Sequence, residues 1–187
     1  GDPARRRRID ALLAARNAAL GSSDIYIMTR DGETIAASNH ARADSFVGQN
    51  FSYRPYFMGA LRGQAAQFFG VGTTSGVRGY YFAAPIRDAA GQVAGVIAVK
   101  IALDQVEASW RGGDLRIFVT DPDGVVFMAS RPDWLYRAIL PPAQDLRAAD
   151  DPTRRYPVID TRPLYQQQTR ADGVALARID EGGTMRE

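Results

Sequence analysis

The 187-residue sequence contains no cysteine and a single histidine, His40. The lack of cysteine excludes a disulfide framework, a thiol nucleophile, an iron–sulfur cluster and a cysteine-based zinc site. One histidine cannot build a multi-histidine metal site, although it is enough for a catalytic triad. No other motif in the sequence indicates a metal or a cofactor, and we expect neither.

Long apolar runs are also lacking. The longest, around residues 93–99, is far shorter than the ~18 apolar residues of a membrane-spanning helix and is typical of a strand. No signal peptide is visible, and the chain starts at Gly1 without an initiator methionine. We therefore expect this chain to be a piece of a longer protein.

Positive charge is not spread over the chain. Of the 23 basic residues, 22 are arginine, and the only lysine is Lys100. Residues 1–20 carry a net charge of +3, whereas the other 167 residues carry −1. A nucleic-acid surface needs a basic stripe across the fold, so we expect no nucleic-acid partner. The arginines at residues 5–8 indicate a solvated helix face rather than a specific anionic partner.

The order of pattern signals predicts an α+β fold. Residues 4–20 predict a helix that ends at Gly21 and carries an apolar stripe of Ile9, Leu12, Leu13 and Leu20. A short helix is predicted from Pro55 to Leu61. Strands are predicted at residues 24–30, 33–38, 66–73, 77–84 and 92–103. This order describes a five-stranded antiparallel sheet with helices packed on it.

One stretch of the sequence is repeated. Residues 25–39 align with residues 117–131, and both copies contain an Asp-Gly turn and an Ala-Ser pair. Both also precede an Arg-Pro pair. Hairpins share such patterns by chance, but we favour tandem copies of one α+β unit. We expect the second copy to be less complete, with later strands only at residues 156–160 and 173–179.

The glycine-flanked segment at residues 70–76 places Thr73, Thr74 and Ser75 in a row. Its spacing fits neither a dinucleotide-binding motif nor a nucleophile elbow. Hydroxyls beside glycines are suited to hydrogen-bonding a carboxylate, but a plain glycine-rich hairpin explains the segment equally well. A hydrolase using Ser75 or Ser38 with His40 is disfavoured because no oriented base is apparent, so no catalytic residue is predicted.

Two basic residues stand in unusual surroundings. Lys100 lies in an apolar strand, where alternation places it on the same face as Val96 and Ala98. A charge on a buried face needs a partner, unless the lysine reaches water at the strand end. Arg54 lies among aromatic residues and either offers a planar fork to a carboxylate or extends over the surface.

Four segments carry a resemblance to a known family: NFSYRPYFMGAL, FFGVGTTSGVRGYYFAAPIRD, GQVAGVIAVKIALDQVE and VTDPDGVVFMASRPDWLYR. They resemble the extracytoplasmic sensor of four-carbon-dicarboxylate-sensing histidine kinases, which has a double Cache (tandem PAS-like) fold. The resemblance covers about residues 24–140. It implies a non-catalytic periplasmic domain of a bacterial inner-membrane protein, anchored by flanking helices, with a cytoplasmic kinase outside this chain.

The resemblance also implies a domain organisation. Residues 1–23 are expected to form an N-terminal signalling helix that continues from a membrane span and supports a homodimer. Residues 24–105 are expected to form the membrane-distal, ligand-binding PAS-like unit. Residues 106–187 are expected to form a membrane-proximal PAS-like unit, truncated at its end and without a match after residue 140.

The ligand site implied by the resemblance lies in the distal unit. Its expected members are two basic residues, a polar turn with the start of the next strand, and an aromatic wall: Arg54, Lys100, Thr73, Thr74, Ser75, Gly76, Arg78, Tyr80, Tyr56 and Phe57. The expected ligand is a small dicarboxylate such as succinate, fumarate, malate or malonate. Amino-acid-binding Cache relatives place an acidic residue where Lys100 stands, so the lysine favours a second carboxylate. An amino-acid or monocarboxylate sensor, a chemoreceptor sensor domain and a ligand-free module that reads a partner protein remain alternatives.

Overall fold

The computed structural model describes residues 2–139, 151–169, 175–180 and 185–186, the last three strands by their backbone. It divides the chain into two units. The first comprises Gly1–Leu103 and Pro152–Arg155, and the second comprises Asp104–Asp151 and Tyr156–Glu187. Within the described residues, no helix has the length and apolar content needed to span a membrane.

The first unit contains two helices and five strands: α1 (Pro3–Leu20), β1 (Asp24–Thr29), β2 (Thr34–Ala37), α2 (Pro55–Leu61), β3 (Ala66–Val71), β4 (Arg78–Arg87) and β5 (Val93–Ala102). The strands form one antiparallel sheet in the order β2-β1-β5-β4-β3. This confirms the predicted five-stranded sheet and the α+β class, with small shifts at the strand ends.

Helix α1 packs against the hairpin of β1 and β2. It is capped at its start by the Asp2 carboxylate and ends at Gly21, whose φ of 64° is left-handed. Leu13 is buried against the hairpin, whereas Leu12 and Leu20 are 54% and 68% exposed. The buried face of the helix is therefore narrower than the predicted apolar stripe, because only the side of the helix that carries Ile9 and Leu13 contacts the sheet.

The face of the sheet covered by α2 holds the larger core. In β5, Val96, Ala98 and Lys100 are all buried, which confirms the predicted alternation. Lys100 lies between Asp24 of β1 and Tyr81 of β4 in the strand register. Paired residues of neighbouring strands point to the same face, so these three side chains form one row across the sheet.

The second unit begins with α3 (Asp104–Ala108), a hairpin of β6 (Phe118–Thr120) and β7 (Val126–Ala129), and a 3₁₀ helix (Pro132–Trp134). A further antiparallel sheet contains β8 (Tyr165–Thr169), β9 (Ala175–Asp180) and β10 (Met185–Arg186). The predicted strand at residues 156–160 is wrong, since only Asp160 makes a bridge. Pro157 lacks the N–H donor that a regular strand needs.

Two further differences concern the end of the chain. The predicted strand at residues 173–179 corresponds to β9, although residues 173–174 lie outside the described part of the chain. Strand β8 was not predicted, because its three consecutive glutamines do not show the apolar alternation that marks a half-buried strand.

The aligned hairpins make the same internal hydrogen bonds. The Ser38 hydroxyl accepts from the Ile25 N–H at 2.9 Å, and the Ser130 hydroxyl accepts from the Ile117 N–H at 3.1 Å. Both serines return the bond through their own N–H groups, to the carbonyls of the same isoleucines. The sequence repeat is therefore also a structural repeat.

Each hairpin is also held by a buried carboxylate from the helix that precedes it. Asp10 of α1 accepts from the Ala37 N–H at 3.0 Å, and Glu107 of α3 accepts from the Ala129 N–H at 2.9 Å. The two acids are 4% and 1% exposed. A buried N–H without an acceptor is costly, so these carboxylates fix each helix to its hairpin.

Candidate functional site

A cavity opens on the α2 face of the first unit. It contains about 220 Å³ of space outside the protein atoms, part of it open to solvent. Its lining is aromatic, with one cation, one glycine and two hydroxyl side chains: Tyr26, Phe46, Phe51, Arg54, Tyr56, Gly72, Thr73, Thr74 and Tyr81. Because that volume includes open solvent, the enclosed part of the cavity is smaller.

Lys100 reaches the wall of this cavity along a path made by two glycines. A Cβ atom at Gly79 would lie 2.7 Å from Lys100 Cε, so the lysine can cross β4 only over a glycine. Nζ donates a hydrogen bond to Ser75 Oγ at 2.9 Å. A Cβ atom at Gly72, which lines the cavity, would lie 3.2 Å from Nζ. Lys100 is not itself a lining residue, but its ammonium group lies beside Gly72 and 5.9 Å from the ring centres of Phe46 and Tyr81, which line the cavity.

The charge of Lys100 is only partly compensated. Burial lowers the pKa of Lys100, and the nearby carboxylate of Asp24 opposes that shift. Burial raises the pKa of Asp24, while a hydrogen bond from Ser23 and the charge of Lys100 oppose the rise. Asp24 forms its ion pair with Arg42 at 3.4 Å. In the described part of the chain, Lys100 itself makes no ion pair.

Arg54 provides a second buried cation and is 1% exposed. It precedes Pro55, whose fixed φ begins α2 and holds the arginine at the start of that helix. Its Nη1 donates to the carbonyls of Thr153 and Arg154 at 3.1 and 3.0 Å, and its Nη2 donates to the carbonyl of Val71 at 2.7 Å. All three acceptors are neutral, so the guanidinium charge lacks a carboxylate partner among the described residues.

Tyrosines form much of the cavity wall. Tyr56 stacks on Tyr81 with ring centroids 5.1 Å apart, and its hydroxyl lies 2.7 Å from that of Tyr26. Burial raises the pKa of Tyr81 to about 12 and also raises the pKa values of Tyr56 and Tyr26. These hydroxyls therefore stay protonated at neutral pH, and the wall contributes no negative charge that would repel an anion.

The glycine-flanked segment is a turn that also presents hydroxyls. The Gly76 N–H donates to the Gly72 carbonyl at 2.7 Å, and Gly76 has the left-handed φ of 67°. Thr73 and Thr74 line the cavity, and the hydroxyl of Thr73 bonds that of Tyr53 at 2.8 Å. The segment is therefore both a glycine-rich turn and a source of hydroxyl groups at the cavity, and the two interpretations of its sequence are compatible.

Some predicted residues lie outside the cavity lining. Phe57 is buried in the core formed with the sheet, and Gly76 shapes the turn. Arg78 pairs with Val71 at the start of β4. Tyr80 lies on the opposite face of β4 from Tyr81, where its ring contacts Phe69 and Phe82. Of the predicted residues, Arg54, Tyr56, Thr73 and Thr74 line the cavity, and Lys100 with its hydrogen-bond partner Ser75 lies directly behind the lining.

Several lining residues were not predicted: Tyr26, Phe46, Phe51, Gly72 and Tyr81. Tyr81 lies opposite Lys100 in the register, so strand alternation would have identified it once the pairing was known. Phe46 comes from an irregular loop that shows no periodic pattern.

His40 contacts the Ala37 carbonyl at 3.2 Å and bonds neither Ser38 nor Ser75, the two serines of the disfavoured hydrolase hypothesis.

Sequence comparisons identify two relatives. The chain is 40% identical over 169 residues to the C4-dicarboxylate transport sensor protein DctB of Pseudomonas aeruginosa, covering 90% of this chain and 28% of that protein. It is 37% identical over 139 residues to DctB of Rhizobium meliloti, covering 74% and 22%. The chain thus spans about a quarter of the length of these relatives. No family model matches the chain.

A solved structure is also similar. The sensor domain of the Vibrio cholerae histidine kinase DctB superposes with a TM-score of 0.79 at 33% sequence identity. The match covers 98% of this chain and 70% of that one. The similarity therefore extends over both units and over most of a known sensor domain.

Proposed function

We propose that this chain, which belongs to the family of DctB sensor domains, is the extracytoplasmic ligand-sensing domain of a two-component sensor histidine kinase. It binds a small dicarboxylate in the cavity of the first unit, and the bound ligand alters the signal carried by the flanking helices. In this proposal the domain lies in the bacterial periplasm, has no catalytic activity of its own and is anchored by the parent protein.

The observation that carries the proposal is a pair of buried cations, one lining the cavity and one directly behind its lining. Arg54 and Lys100 are each 1% exposed, and neither forms an ion pair in the described part of the chain. Two buried positive charges repel each other and are costly without counter-charges. A ligand with two negative charges compensates both, whereas a monocarboxylate leaves one uncompensated.

The surrounding groups favour carboxylates over an amino acid. An α-ammonium group placed near Lys100 would meet a like charge, while a carboxylate would meet the ammonium and the Ser75 hydroxyl. Charge-assisted hydrogen bonds contribute about 1.5–3 kcal/mol each. Three or four of them, after the cost of ordering the ligand, correspond to the roughly 8 kcal/mol of micromolar binding.

Signalling requires that the ligand prefer one of two arrangements of the domain. Helix α1 is fixed by Asp10 to the hairpin of β1 and β2, and β1 pairs with β5, which carries Lys100. A ligand that moves Lys100 therefore acts on an element directly paired with the hairpin that holds α1. This connection is the proposed route from the cavity to the flanking helix.

Thermal unfolding with a ligand panel tests the proposal. Succinate, fumarate, malate and malonate are compared with acetate and with amino acids. A ligand at 100 times its dissociation constant stabilises the protein by about 2.7 kcal/mol. We expect this effect from at least one dicarboxylate and not from acetate. If a well-folded sample responds to no dicarboxylate, the proposal is wrong.

The Lys100→Met variant provides the matched test of the site. It removes the charge but keeps an unbranched side chain that fits the path over Gly79. We expect the dicarboxylate response to be lost while the far-UV circular dichroism spectrum is unchanged. Unaltered dicarboxylate binding by this variant would contradict a role for Lys100 in the site.

A further inference from the structure

Residues Pro152–Arg155 belong to the first unit, although the chain on both sides of them belongs to the second. We refer to these four residues as the strap. The Val71 N–H at the end of β3 donates to the Arg155 carbonyl at 2.8 Å. A Cβ atom at Gly70 would lie 3.1 Å from this oxygen, so the glycine allows the strap to approach closely.

The side chains of the strap also contact the first unit. The Arg154 guanidinium lies 4.9 Å from the centre of the Tyr53 ring. The Arg155 guanidinium lies 4.8 Å from the centre of the Phe69 ring and 5.3 Å from that of Phe68. Such cation–π contacts are attractive, so the strap is held by side chains as well as by its backbone.

The strap carbonyls orient the guanidinium of Arg54. Nη1 directs two hydrogen bonds at the Thr153 and Arg154 carbonyls, and Nη2 directs one at the Val71 carbonyl. A guanidinium has five N–H donors, so Nε–H and the second hydrogen of Nη2 remain. No hydrogen bond from these two donors occurs among the described residues. In a guanidinium, Nε–H and the neighbouring Nη2–H form one edge, which can bind a carboxylate through two parallel bonds.

We propose that the strap is a positioning element for the ligand site, which is an inference that rests on the proposed function. By binding Nη1, the carbonyls of Thr153 and Arg154 hold Arg54 with its Nε and Nη2 edge available to a ligand carboxylate. Ligand binding and strap docking then stabilise each other, because coupling between two sites is reciprocal. The strap, which comes from the second half of the sequence, thus supplies part of the site.

The alternative is that ligand binding and strap docking oppose each other. A carboxylate is a stronger acceptor than a neutral carbonyl, so a ligand that approached Nη1 would displace the strap. Loosening the strap would then strengthen ligand binding rather than weaken it. The two directions of coupling have opposite signs, and one series of variants distinguishes them.

The Arg155→Ala variant loosens the strap by removing its stacking on Phe68 and Phe69. Its matched control is Arg131→Ala, which removes a similar contact, 5.7 Å from the Trp134 ring, in the second unit. We expect Arg155→Ala to bind succinate about tenfold more weakly in calorimetry. Residues that orient metal ligands lower the affinity by about 10–100-fold when they are lost, and we expect the low end of that range for a residue that orients an arginine. The control should bind succinate like the native chain. Gly70→Ala serves as a second strap variant, because its Cβ would lie 3.1 Å from the Arg155 carbonyl oxygen and 2.8 Å from the Phe68 ring on which Arg155 stacks.

Two NMR measurements follow the strap directly. Without ligand, the Nη1 hydrogens of Arg54 should give distinct, slowly exchanging signals in the native chain and lose them in Arg155→Ala. With succinate, the amide exchange of Val71 should become slower in the native chain. A merely structural role for the strap would leave the exchange of Val71 independent of succinate.

The inference is overturned if both strap variants bind succinate as tightly as the native chain, or more tightly. Faster exchange of Val71 with succinate would likewise show that the ligand displaces the strap. If the native chain binds no dicarboxylate, the proposed function and the ligand coupling both fail. The Arg54 signals then still decide whether the strap orients this arginine.

Discussion

The two Arg-Pro pairs occupy corresponding places after the two hairpins, yet their arginines differ. Arg54 is 1% exposed and donates to three backbone carbonyls beside a cavity. The side chain of Arg131 is 29% exposed and pairs with Asp133 at 2.8 Å within its own short helix. In both places the proline begins a helix, because its fixed φ suits the first helical position.

The difference shows that the two copies share the hydrogen bonds that hold the hairpin, but not the surroundings of the arginine. Both hairpins have a serine that binds the first strand and a buried carboxylate from the preceding helix. The first hairpin additionally pairs with β5, which brings Lys100 into its core face. Within the described residues, β6 pairs with β7 alone. Pairing with β5 therefore gives the first copy a buried lysine that the proposed ligand site uses.

Replacement of the two arginines by alanine should give the largest contrast. Arg54→Ala removes the donor from three carbonyl oxygens and should lower the free energy of unfolding by about 3 kcal/mol. Arg131→Ala loses a partly exposed ion pair and should lower it by about 0.5 kcal/mol. Urea unfolding followed by circular dichroism measures both values. Fluorescence separates the units, because both tryptophans, Trp110 and Trp134, lie in the second.

Equal effects of the two arginine variants would contradict this contrast. A third variant, Arg54→Lys, serves as the control for charge. It keeps a cation at the site but lacks the planar fork, so it should recover part of the stability and little of the dicarboxylate binding.

Replacement of the two buried carboxylates should show where the units are alike. Asp10→Ala and Glu107→Ala each leave a hairpin N–H without its acceptor and should each lower the free energy of unfolding by about 1–3 kcal/mol. Asp10→Asn and Glu107→Gln keep a side-chain oxygen and should lower it less. The same unfolding experiments apply. A neutral effect of one alanine variant beside a large effect of the other would show that the frames are not equivalent.

The smallest effect that we expect is the change of dicarboxylate affinity with pH, because it occurs at alkaline pH, outside the range of ordinary buffers. Dicarboxylate binding needs the charged form of Lys100, and burial holds the pKa of this residue below its usual value of 10.5. Affinity should therefore fall as the pH rises through the folded-state pKa, beginning below pH 10.5. The unfolded chain binds more protons in this window, so the free energy of unfolding contributed by Lys100 rises as affinity falls.

Calorimetric titration with succinate over alkaline pH measures this dependence. The Arg131→Ala variant, altered in the other unit, should show the same fall in affinity as the native chain. A constant affinity up to pH 10.5 would contradict the assignment of Lys100 as a charged ligand partner.

The fold of the first unit could be predicted because its signals are local. Asp-Gly turns, Pro55 and the alternation around Lys100 each specify structure within a few residues. Alternation also placed Lys100 on the face of Val96 and Ala98, although it left open whether the lysine is buried or reaches water. Strand β8 could not be predicted in this way, because its sequence carries no periodic apolar pattern and its place depends on pairing with β9.

The composition of the site was less accessible to sequence reasoning. Tyr80 and Tyr81 are adjacent in sequence, but they point to opposite faces, and only the register with β5 shows which one lines the cavity. The contacts of Arg54 with Thr153 and Arg154 span about a hundred residues of chain. No local pattern indicates such contacts, because they depend on how the chain returns to the first unit.

The most direct test of the central claim is a crystal structure of this chain grown with succinate. We expect one carboxylate on the Nε and Nη2 edge of Arg54 and the other within hydrogen-bond distance of Lys100 Nζ. Succinate bound away from these two residues, or a cavity without succinate in a crystal saturated with it, would show that Arg54 and Lys100 do not form the dicarboxylate site.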